Sequence, residues 1–153
     1  MKIYRHGVLL FIIVFFMGLI LMGCAGEKTE IIETGVHKIV VQLSGDTSSF
    51  DVSVTIAGAD KGGPAKLYND KGEYVGDSYS AQIKTATMSC RTNENAFFMT
   101  CAGSVSSSSE AGKRLHLTVI AYVDDKEVNR LVKEYVTDDD ALYETFSVST
   151  KEI

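Results

Sequence analysis

From residue 36 onward, apolar and polar positions alternate in short runs separated by turn-forming residues. Phe50, Val52, Val54 and Ile56 alternate with Asp51, Ser53 and Thr55, a period of two that turns one apolar face inward on a half-buried strand. Leu115, Leu117, Val119, Ala121 and Val123 repeat the pattern against His116, Thr118, Ile120 and Tyr122. Residues 38–43 form a further β-rich run, and 143–149 forms a last one with Phe146 and Val148 on one side. Segment 126–136 fits two templates. Val128, Leu131, Val132, Tyr135 and Val136 fall on a helical stripe, whereas its valines and the preceding Asp124-Asp125 turn favour a strand. Strand is the favoured reading, with helix left open.

Turn signals complete the pattern. Leu67-Tyr68 and Tyr74-Val75 flank Asn69-Asp70-Lys71-Gly72, a turn closed by glycine. Residues 58–64 read as a loop, 106–112 as a serine-rich loop, and Asp138-Asp139-Asp140 as a turn. Segments 80–90 and 96–105, joined through Thr92-Asn93-Glu94-Asn95, read as an antiparallel hairpin. Turn signals recur every ~8 to 12 residues with little helix, which predicts an all-β protein. The expected architecture is an antiparallel β-sandwich of about seven to eight strands. Its outline resembles an immunoglobulin or fibronectin type III module, without tryptophan and without the widely separated cysteine pair of true immunoglobulin domains. The likeness is architectural only.

The amino terminus breaks this texture. Lys2, Arg5 and His6 precede an apolar run from Val8 to Met22, interrupted only by Gly18 and ending at Gly23-Cys24. A basic head, an apolar core and a small residue at the boundary describe a secretory signal peptide. The run falls short of the ~20 residues a spanning helix needs, although a retained signal-anchor stays possible. Leu21-Met22-Gly23-Cys24 resembles the lipobox of bacterial lipoproteins, with Met22 in place of the usual Ser, Ala or Thr. That resemblance implies cleavage before Cys24, diacylglycerol (palmitate-type) modification of its thiol, and often acylation of the new amino group. A second acyl chain matters because each buried CH₂ contributes about 0.8 kcal/mol and one chain binds only reversibly. The organisation expected is a cleaved signal over 1–23, a lipidated N-terminus and short polar tether over 24–35, and the β-sandwich over 36–153. A plain buried thiol is the alternative role for Cys24.

Removing residues 1–23 takes away Lys2 and Arg5 and no acid, moving the formal net charge from −5 to −7. An acidic body argues against nucleic acid and against charge-driven binding to anionic lipid headgroups. The membrane is therefore expected as a partner only through the N-terminal lipid, in the cell envelope. In a host with two membranes this means the outer membrane or a periplasmic face. Ala25 stands where some lipoproteins carry the aspartate that retains them at the inner membrane. With Cys24 lipidated, Cys90 and Cys101 remain, and in an oxidising compartment two cysteines most often pair. The hairpin reading puts both on one face and predicts a disulfide across it. Two free buried thiols or a redox pair are the alternatives, the latter lacking the usual C-x-x-C spacing.

No catalytic motif stands out: there is no G-x-S-x-G, H-E-x-x-H, Walker loop or G-x-G-x-x-G. His37 and His116 read as surface or rim residues, and the aspartate clusters at 124–125 and 138–140 as turns rather than calcium loops. No cofactor is expected. The candidate ligand or partner surface is Tyr68, Tyr74 and Tyr79 around a Gly/Asp/Asn-rich loop, because amphipathic rings stack on sugars or anchor proteins. The sequence thus implies a non-catalytic, lipid-anchored binding or structural module. Its alternatives are a subunit of a larger envelope complex and a glycan-binding module.

Overall fold

The computed structural model describes residues 34–93, 95–108 and 110–151, so the signal segment, Cys24 and most of the tether lie outside the described residues. Eleven strands follow in chain order: β1 His37–Gly45, β2 Asp51–Asp60, β3 Gly63–Pro64, β4 Leu67–Asn69, β5 Tyr74–Gly76, β6 Ser78–Gln82, β7 Thr87–Thr92, β8 Phe98–Ser107, β9 Arg114–Val123, β10 Lys126–Val136 and β11 Leu142–Ser149. A single short 3-10 turn, Thr47–Ser49, sits between β1 and β2. The count exceeds the seven or eight expected because β3, β4 and β5 are only two or three residues long.

The strands form two antiparallel sheets. One has six strands in the order β10-β9-β1-β7-β4-β5, and the other runs β11-β8-β2-β3 with β6 also pairing β2. Their inner faces make one core. Ile39, Val41 and Leu43 on β1 and Leu115, Leu117, Val119 and Ala121 on β9 come from the first sheet. Val52, Val54, Ile56, Met99, Cys101, Val105, Phe146 and Val148 come from the second. Each set is the apolar half of an alternating run, so the period of two in the sequence becomes the inside and outside of the sandwich. At Gly103, opposite Phe146 on β11, an added Cβ would run into the Phe146 ring and the Ser53 carbonyl oxygen. The aromatic ring takes the space a side chain would need.

Segment 126–136 is a strand. It leaves β9 through Asp124 and Asp125, both in the left-handed region (φ 48° and 60°), as a two-residue hairpin turn requires. The Asp124 carboxylate also accepts the Val36 N–H at 2.9 Å, fixing the chain as it enters β1. A bulge between Glu127 and Asn129 shifts the register by one; beyond it Leu131 and Tyr135 face the core while Val132 and Val136 face outward, so the helical stripe draws on both faces of a strand.

The expected hairpin of 80–90 with 96–105 is not formed. Residues 80–90 divide between β6 in the five-stranded sheet and β7 in the six-stranded sheet, and β8 returns to the five-stranded one. The turn-like segment is a crossover between sheets, with Ala96 bridged to Gly35 and the Phe97 N–H bonded to the Ala59 carbonyl. Cys90 lies opposite Ile39 and Cys101 opposite Ile56, on facing sheets, and both thiols are free. The predicted hairpin is therefore corrected: alternation placed both sulfurs inward, but from facing layers rather than across one hairpin, and no disulfide joins them in this structure.

Candidate functional site

Cross-strand register assembles a line of side chains on the outer face of the six-stranded sheet. Tyr74 on β5 pairs with Tyr68 on β4, Tyr68 with Arg91 on β7, Arg91 with Lys38 on β1, Lys38 with Tyr122 on β9, and Tyr122 with Glu127 on β10. Residues at one register level share a face. Here the inner neighbours His37, Ile39, Cys90 and Thr92 are buried, which turns Lys38 and Arg91 outward. At ~4.8 Å between strands, the row spans roughly 24 Å.

Local structure holds each member. Asn69 closes the β4–β5 turn by accepting the Lys71 and Glu73 N–H groups on its side-chain oxygen, at 3.0 and 2.9 Å. Gly72 takes the positive φ of 77° there. Asp70 then ties the turn to β7 by accepting both the backbone N–H and the hydroxyl of Ser89. This clamp sets Tyr68 beside Tyr74, with ring centroids 5.8 Å apart and planes tilted by 59°. The Tyr74 hydroxyl donates to Asp77 at 2.7 Å, and that bond raises its pKa. At the far end the Lys38 ammonium lies 5.0 Å from the Tyr122 ring centroid and 3.7 Å from Asp125. Arg130 forms a two-pronged pair with Glu127 at 2.8 and 2.7 Å. Among the described residues no carboxylate pairs with Arg91, which is exposed.

The sequence placed Tyr68, Tyr74 and Tyr79 together, and the structure joins only the first two. Tyr79 lies opposite Ile56 and packs against the core, because in β6 Ser78 and Ser80 take the outward positions. Arg91, Lys38 and Tyr122 were missed. Alternation already turns them away from the core, but their alignment depends on the strand order β4-β7-β1-β9, for which the chain carries no local signal.

His37 is also corrected: it is buried rather than at the rim. Its Nε2–H donates to the Ala96 carbonyl at 2.9 Å, so Nδ1 accepts the Thr150 hydroxyl at 2.6 Å. Burial lowers its pKa, opposed in part by the Ala96 bond and Asp124. Thr150 Oγ1 also accepts the Met99 N–H at 2.8 Å, so one polar knot joins the start of β1 to the end of β11. Burial pushes the Cys90 thiol up to about 11 and the Cys101 thiol up to about 12.

Two clefts, of about 190 and 240 Å³, are lined respectively by Asp60, Lys66 and Thr92 and by Phe50, Gln82 and Ile83. Both fall below the ~300–1,000 Å³ usual for small-molecule pockets. Among the described residues no three His, Cys, Asp or Glu side chains are placed to hold a metal ion. Asp124 is engaged with Val36, and Asp138 accepts the Asp140 N–H within its turn.

Fold and face together define a two-sheet antiparallel β-sandwich with a flat aromatic and cationic outer surface. No family model and no curated protein matches the chain. Among solved structures, a domain of unknown function, DUF4425, from Bacteroides vulgatus is 82% identical, covering 78% of this chain and 98% of its own, with a TM-score of 0.77. A DUF4425 family protein from Bacteroides ovatus is 54% identical over 79% of this chain and 99% of its own, with the same TM-score of 0.77. The chain belongs to the DUF4425 family. A protein from Parabacteroides distasonis, solved by NMR in a calcium-bound form, shares the fold at 21% identity and a TM-score of 0.54, over 73% of this chain and 93% of its own.

Proposed function

We propose that this protein is a non-catalytic binding module, held at an envelope membrane by lipid on Cys24, that captures acidic glycans on the outer face of its six-stranded sheet. The observation that carries the reading is the row Tyr74–Tyr68–Arg91–Lys38–Tyr122. Tyrosine faces at both ends suit the apolar faces of sugar rings. Arg91 between them offers a planar fork matched to a carboxylate or sulfate. Arg91, which no carboxylate among the described residues pairs, keeps an exposed positive charge on a body whose net charge is −7 once residues 1–23 are removed. A flat strip suits an extended chain better than a small metabolite, which wants a concave pocket. Lipid anchoring rests on the resemblance of Leu21-Met22-Gly23-Cys24 to a lipobox.

The test is calorimetric titration of the full chain in detergent against polygalacturonate, a sulfated polysaccharide and neutral dextran. Binding to the acidic chains and not to dextran, weakened at least ~tenfold by Arg91→Ala, is the expected result. Equal binding to dextran, or an Arg91→Ala variant that binds like wild type, would overturn the assignment. Anchoring has its own assay: Cys24→Ser is expected to abolish palmitate labelling and detergent-phase partitioning. Unchanged labelling would return the segment to a retained helix.

A further inference from the structure

β10 is the outermost strand of the six-stranded sheet, 11 residues long, and its far side has no strand partner. Open edges of this length are normally blunted by charge, twist or cover. Here the outward face carries Val132 at 65% exposure and Val136 at 41%, with Val128 at 46% beside the bulge. The bulge at Val128 ends regular pairing on one side. On the other side Thr137 is buried, bonded to Lys113 and Glu110, and draws the chain away. The stretch left available is 128–136, and its midpoint is Val132.

Read about that midpoint, the outward positions are self-complementary: Val128, Arg130, Val132, Glu134, Val136, with valine set against valine and arginine against glutamate. The Arg130 N–H donates to the Asn129 side chain at 2.8 Å, so it faces away from β9. Alternation then turns the N–H and C=O groups of Val132 and Glu134 to the same open side.

We infer that β10 pairs antiparallel with β10 of a second copy about a two-fold axis through Val132, continuing the sheet across both molecules. Val132 then meets Val132, each Val128 meets a Val136, and Arg130 meets Glu134 twice. Each of these charges also keeps a partner within its own chain: Arg114 with Glu134 at 2.7 Å, and Arg130 with Glu127 at 2.7 Å. Side by side they give an alternating line of Arg114, Glu134, Arg130 of the second copy and its Glu127. A parallel pairing would not match these charges, and a one-residue slip would set outward faces against inward ones. A two-fold axis normal to the sheet also keeps both tyrosine–cation rows on one side.

The test is cysteine cross-linking of the full lipidated chain in native membranes, using a short bismaleimide. At this register the two Val132 Cα atoms lie ~5.5 Å apart, whereas two Val136 Cα atoms are separated by roughly 27 Å along the strand. Val132→Cys is expected to yield a band of twice the mass and Val136→Cys alone none. Mixing Val128→Cys with Val136→Cys protein is expected to restore the band. Val132→Asp, at a position too exposed to disturb the core, places two carboxylates on the axis and is expected to weaken self-association about tenfold or more in sedimentation. Linking of Val136→Cys as efficiently as Val132→Cys, or capture by Val132→Cys of a protein of different mass, would overturn the inference. So would a Val132→Asp variant that self-associates like wild type.

Discussion

The outer faces of the two sheets use opposite chemistry. At the centre of the five-stranded sheet the outward positions are hydroxyls: Ser53, Ser104 and Thr145 lie at one register level, and Ser80 and Thr55 face each other nearby, while the exposed rings Tyr143 and Phe98 lie towards the ends of their strands. These groups bond among themselves, Ser53 to Ser104 and Thr55 to Ser80, each at 2.9 Å. The six-stranded sheet sets rings and cations at one register level, and among the described residues no carboxylate pairs with Arg91. A face whose polar groups satisfy one another gains little from a ligand, because binding only exchanges equivalent hydrogen bonds. A face that holds a guanidinium between aromatic rings keeps most of its bonding capacity for something else. The same fold thus presents a quiet centre on one sheet and a primed row on the other, and the difference lies in which side chains alternate outward.

Charge reversal would break this comparison most sharply. Arg91→Glu is expected to weaken acidic-glycan binding about a hundredfold by calorimetry, while Ser104→Glu on the opposite face leaves affinity within about twofold. Equal losses from both variants would mean that overall charge governs binding and the row does not. Next in size is an effect inside the five-stranded sheet. Gly103→Ala is expected to cost about 1–3 kcal/mol in urea unfolding through collision with the Phe146 ring. Adding Phe146→Leu is expected to recover part of that loss.

The polar knot that ties the two sheets together provides a smaller effect. Thr150→Val removes the hydroxyl that His37 accepts and is expected to cost about 1–2 kcal/mol. Since burial lowers the His37 pKa from its ordinary 6.5, acid makes the unfolded chain bind a proton that the folded chain resists. Stability from this residue is therefore complete above pH 6.5 and falls as pH drops below it. In thermal scans from pH 7 to 5, His37→Gln is expected to show a flatter profile than wild type. The smallest effect belongs to the quiet face: Ser53→Ala with Ser104→Ala is expected to change stability by less than about 0.5 kcal/mol and glycan binding not at all.

Much of the sandwich was legible from alternation. β2, β9 and β11 were readable because each carries apolar residues at a period of two, strictly in β2 and with exceptions such as Ile120 in β9 and Glu144 in β11. Segment 126–136 was ambiguous for an identifiable reason, since exposed valines at 132 and 136 follow the core-facing Leu131 and Tyr135 and imitate a helical stripe. The crossing at 91–100 was not legible: Thr92-Asn93-Glu94-Asn95 has the chemistry of a tight turn, and only the distant partners Gly35 and Ala59 show that it changes sheets. Tyr68 and Tyr74 could be paired because their turn is local. Arg91, Lys38 and Tyr122 join them through long-range strand order, and His37 is buried by partners up to 113 positions away.

The two buried thiols make the fold its own stopwatch. Cys90 and Cys101 sit on opposite sheets, exposed by 1% and 0%, with pKa values of about 11 and 12. At neutral pH almost no thiolate is present, so an alkylating reagent waits for the layers to part before it reacts. Each sheet therefore carries one chemical clock hand, readable by mass spectrometry without any introduced probe. If both thiols are alkylated at one rate, the sandwich opens as a unit. If one runs ahead, its sheet is the layer that frays first.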